Sequence, residues 1–187
     1  MKRSLEAELV AFDRILRENG VPFPEPRPSP STLFELPQVD LNLWSERGAR
    51  ELKDWFTWNG PESERSLFPP RPPFFGSFWK LTTAESEVLE VTKTWLGVSP
   101  AEPNPWVTVA RDEKRYLVYN LSTTTVTVHN VWADESRVEL GPFPGLIARW
   151  NEVIVHELDF DPDTLRWVPK VPWDSRNPIW RATGIIT

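Results

Sequence analysis

The chain contains only two histidines, and one of them, His156, stands beside Glu157 with Asp159 two residues further on. An imidazole next to a carboxylate could move protons as an acid–base pair. A histidine near the end of a helix is also a favourable partner for the helix dipole, and the spacing predicts that role. The second, His129, falls within a predicted strand. Asp159, Asp161 and Asp163 alternate as the first oxygens of a calcium loop would. However, the sixth position holds Thr164, where the sharp turn needs glycine, and the twelfth holds Lys170, where a bidentate glutamate is needed. No cysteine is present, so there is no disulfide frame, thiolate zinc site or cysteine nucleophile. Nucleophile-elbow, zinc-protease, dinucleotide and Walker motifs are missing as well. The expectation is a non-enzymatic chain with no metal and no cofactor.

What remains is charge and aromatic surface. The net charge is −6 over 187 residues, and the stretch 131–163 holds eight acids against two bases, which accounts for the whole excess. Such a field disfavours phosphate-backbone binding, which depends on Lys and Arg displacing counterions. It would steer a basic protein partner, and it would equally serve as a solvated surface kept for solubility. Of the eleven tryptophans, Trp44, Trp55, Trp95 and Trp150 sit at helical core spacing. Trp79, Trp132, Trp167, Trp173 and Trp180 lie beside prolines, turns or acids, where partial exposure would make interface anchors; Trp–Pro contacts pinning the tail to the domain fit them as well. The candidate partner-binding set is Trp132, Asp134, Glu135, Glu157, Asp159, Asp161 and Asp163.

The elements that must position these residues follow from periodicity. Leu5, Leu9, Phe12 and Leu16 share one face of a helix over 4–19, and Gly20 supplies its left-handed stop. A second helix over 45–58 clusters Trp44, Leu52 and Trp55, with Trp58 at the edge of that arc and Glu46, Arg47, Arg50, Lys53 and Asp54 on the other half. Gly48 lies within the apolar arc at a propensity cost of about 1 kcal/mol, which predicts close packing against another element. Thr82 and Glu85 form a capping-box pattern opening a third helix. Strands are expected over 106–110, 116–121, with both faces apolar as in a central strand, 125–132 and 137–140, with Ser122 to Thr124 as a hairpin connection. FGSFWKL ending at Leu81 reads as a short strand. Ile147, Trp150, Ile154 and Leu158 mark a final helix, and the tail is expected to be extended, with at most one strand near 165–168.

The fold class is therefore α+β: N-terminal helices, a central antiparallel sheet of about four to six strands, and a closing C-terminal helix. One domain spans 1–187, with extended proline-rich segments at 21–37 and 61–73 and an extended tail at 159–187. No apolar run reaches the eighteen residues of a membrane span, and the N-terminus lacks a secretory signal. A cytoplasmic location is expected.

The segment Glu51 to Gly60 (ELKDWFTWNG), then WVTVARD from Trp106 with YLVYNL from Tyr116, then Leu146 to Leu158, resembles the SUKH superfamily in pattern and order. The turn after Asp112 carries Glu113, Lys114 and Arg115 where the family pattern has glycines. The resemblance implies an α+β domain that binds proteins, and many members of the superfamily neutralise bacterial toxins while others are regulators. In the family Asn59–Gly60 is a structural turn, and no binding residue carries over. Two functions are thus expected: an immunity or regulatory protein that binds a basic protein such as a toxin domain, or a carbohydrate-binding or carboxylate-dependent hydrolytic module using exposed Trp with Glu157, Asp159 and Asp161.

Overall fold

The computed structural model describes residues 3–21, 45–59, 80–81, 106–111, 115–130, 137–164 and 166–171. The proline-rich segments beyond Val21, the capping-box helix at Thr82 and Glu85, Trp132, Asp134, Glu135 and the tail beyond Val171 lie outside the described residues, as do Trp44, Trp79, Trp95, Trp173 and Trp180.

Helix α1 (Leu5–Glu18) starts at Ser4, whose hydroxyl accepts the Ala7 N–H. It ends in a Schellman closure: Gly20, at φ +72°, donates to the Arg17 carbonyl and Val21 to Leu16. Leu5, Leu9, Phe12 and Leu16 are all buried, joined by Ile15. Helix α2 (Glu46–Asn59) buries Leu52 and Trp55, while Trp58 is half-buried and donates its indole N–H to Asp13 of α1 at 2.9 Å.

Five antiparallel strands follow in sequential order: β1 (Lys80–Leu81), β2 (Trp106–Arg111), β3 (Arg115–Asn120), β4 (Thr125–Asn130) and β5 (Arg137–Pro142). Val107, Leu117, Tyr119, Val126 and Val128 point to the helices and join one core with them. On the opposite face Thr108, Val118, Thr127 and His129 are buried too, so the middle strand β3 is covered on both sides, as its apolar run foretold. The β3–β4 turn is held by Asn120, whose side-chain oxygen accepts the N–H groups of Ser122 and Thr123.

Two bulges shape the sheet, and each is claimed by a helix. Val109 is the extra residue of β2 and Leu140 that of β5. The Val109 carbonyl accepts the Trp55 indole N–H at 3.2 Å, and the Leu140 carbonyl accepts the Arg149 guanidinium. Helix α3 (Phe143–Glu157) leaves β5 directly through Gly141, at φ +81°, and buries Ile147, Trp150 and Ile154 at the spacing the sequence predicts.

The α+β class and the helix–sheet–helix order hold. The tail differs in one respect: α3 does not close the described chain. Leu158 is already extended, and a hairpin of β6 (Leu158–Asp161) and β7 (Arg166–Pro169) follows without a loop. Two strands stand where at most one was expected, because the pairing is driven by burial of one face. Leu158 and Trp167 enter the core and Phe160 packs against it, its ring edge-on to Trp167 at 5.2 Å. Trp167 is accordingly a core residue and not an exposed anchor.

Candidate partner-binding surface

The acids divide between two environments. Glu51 is only 5% exposed. Its carboxylate accepts the Tyr119 hydroxyl at 2.7 Å on one oxygen and the Arg47 guanidinium at 2.7 Å on the other. Burial and then the Glu51 carboxylate drive the Tyr119 phenol above its ordinary range, so it stays a proton donor. The seam is fixed one turn earlier. The Ser45 hydroxyl accepts the Gly48 N–H and donates to the Leu121 carbonyl, both at 2.9 Å. A Cβ on Gly48 would overlap that carbonyl, which is the close approach the glycine implied. Glu51 was not legible as a buried acid; the only signal was its i,i+4 spacing from Arg47.

The described acids of the predicted set lie together in the chain. Glu157 ends α3, Asp159 and Asp161 are on β6, and Asp163 is in the turn. Asp159 pairs with Val168 across the hairpin, on the face opposite Leu158 and Trp167. Its side chain is 71% exposed and lies 3.7 Å from the Lys170 ammonium. Lys170 also donates to the Val155 carbonyl at 2.6 Å, and its backbone N–H to Glu157 at 2.9 Å. A cation therefore satisfies the open carbonyl end of α3 and fastens the hairpin to it.

Asp161 has a structural job. It accepts the Asp163 N–H at 3.0 Å and the Thr164 hydroxyl at 2.7 Å, bonds that hold its carboxyl below the usual range. Its oxygens close the turn between β6 and β7. Among the described residues no three His, Cys, Asp or Glu side chains gather as a metal site. His156 is exposed in the last turn of α3.

Sequence reasoning missed the apolar part of this surface. Val155 and Val168 are 44 and 47% exposed; Lys170 bonds to the Val155 carbonyl and lies beside Asp159, the cross-strand partner of Val168. Single exposed valines carry no sequence signal, and only the fold puts these two beside Asp159.

No family model, no curated protein and no solved structure matches the chain. No helix among the described residues is long and apolar enough to cross a membrane.

Proposed function

We propose that the protein is a non-enzymatic binding domain whose β6–β7 hairpin, with the end of α3, receives a basic protein partner. The observation that carries this reading is the outer face of the hairpin at its junction with α3: Asp159 exposed opposite Val168, with Lys170 joining Asp159 to the end of the helix at the exposed Val155. Acids supply steering and orientation, and adjoining apolar side chains supply area that gains by leaving water. The anchoring of the hairpin by Trp167 and Lys170 supports it further, since a rigid surface loses little entropy on binding. The SUKH-like order of elements extends the reading to an immunity protein that neutralises a bacterial toxin, or to a regulator, acting in the cytoplasm and independently of nucleic acid.

The test is titration calorimetry of the full chain against the basic toxin-like domain encoded next to it. A saturable complex, weakened at least about tenfold by the Asp159→Lys/Asp163→Lys double variant, is expected. A neighbour that is neither bound nor neutralised overturns the proposal.

A further inference from the structure

Strand β5 is the outer strand of the sheet, bonded among the described residues to β4 alone. Arg137, Val138 and Glu139 are all exposed, on both faces of the strand, so over these three residues the edge carries no second strand among the described residues. Val138 lies opposite the buried Val128 and belongs to the core side, yet it remains 39% exposed. Arg137 and Glu139 share the other face, opposite His129 and Thr127. Beyond Glu139 the edge is shut: Leu140 is bulged, its carbonyl is taken by Arg149, and the chain turns into α3.

An open edge presents unpaired N–H and C=O groups to another strand. Edges are commonly guarded by charges of one sign, which repel a second copy. Here the signs alternate, plus at 137 and minus at 139, about an apolar centre. Antiparallel pairing about a two-fold axis through Val138 places Arg137 of one copy opposite Glu139 of the other, twice, with both charges of each pair on one face of the joined sheet. Val138 meets its own counterpart on the core side. Directly opposed unlike charges stabilise such a ladder, and like charges destabilise it.

We infer that β5 pairs with β5 of a second copy of this chain, giving a two-fold dimer with one continuous sheet. This contact is separate from the hairpin surface and does not rest on the function proposed for it. The short open edge makes the dimer weak and concentration-dependent.

Sedimentation equilibrium of the full chain tests it. The mass is expected to rise with concentration from 21.7 kDa towards twice that value. Arg137→Glu, and separately Glu139→Arg, oppose like charges and raise the dissociation constant by about tenfold or more. The double variant R137E/E139R restores two unlike pairs and restores dimerisation. Asp159→Lys/Asp163→Lys leaves the dimer unchanged, which separates this edge from the hairpin. Circular dichroism confirms the fold of each variant, as expected for exposed positions. A chain that sediments at 21.7 kDa up to about 1 mM, a dimer indifferent to either single reversal, or a well-folded double variant that stays monomeric overturns the inference.

Discussion

Glu51 on α2 and Asp159 on β6 carry the same functional group into opposite settings. Glu51 is enclosed, with both oxygens engaged by Tyr119 and Arg47; Asp159 stands largely in water, its nearest cation Lys170 at 3.7 Å. A carboxylate enclosed in this way holds a helix to a sheet, because removing it would strand a buried hydroxyl. A carboxylate left in water contributes little to folding and is free to meet a partner. The α2–β3 seam is therefore the structural half of this chemistry, and the hairpin is the half we propose for recognition.

The sharpest way to break the seam is Gly48→Ala. The added methyl meets the Leu121 carbonyl, a backbone group that cannot swing aside, so a loss of about 3 kcal/mol is expected in urea unfolding despite the helix propensity gained. Glu51→Ala comes next. It leaves the Tyr119 hydroxyl unpaired in the core, with an expected loss of about 2 kcal/mol, and Tyr119→Phe made on top of it adds far less than it costs alone.

A pH-dependent effect belongs to His129 of β4, on the face of the sheet away from Tyr119. Burial, aided by Arg137, pushes its imidazole down to about 4. The unfolded chain binds this proton near pH 6.5, so its contribution to stability is complete above that value and declines as pH falls through 6.5 towards 4. Urea midpoints measured across this window should fall on the acid side, and His129→Gln should flatten the slope. The smallest effect on stability is expected at the hairpin. Asp159→Lys with Asp163→Lys should stay within about 0.5 kcal/mol of the parent, while abolishing capture of the basic partner. A large stability loss there would erase the distinction between the two regions.

Much of the architecture could be read from the chain. Leu5, Leu9, Phe12 and Leu16, and later Ile147, Trp150 and Ile154, recur at helical spacing because one face must leave water, and Gly20 marked a stop only a left-handed residue makes well. Gly48 was legible as a close contact, though its partner, Leu121, was not: that contact joins residues far apart in sequence. Trp167 was open between an exposed anchor and a contact pinning the tail to the domain, and pairing opposite Phe160 turns it into the core. The acids at 157–163 were visible as a charge excess, whereas the division of labour among them was not. Asp161 closes a turn and Asp159 faces outward because of hairpin register, which charge counting cannot see.

Sequence alone determined the three described helices, the strands of the central sheet and the α+β class, because periodicity and capping act between near neighbours; the β6–β7 hairpin it did not. It also determined the sign of the surface. Tertiary structure decided that Glu51 is enclosed, that Val155 and Val168 lie about Asp159, and that β5 ends the described sheet. Burial, edge and register are relations between distant residues, and those relations exist only once the chain has closed on itself.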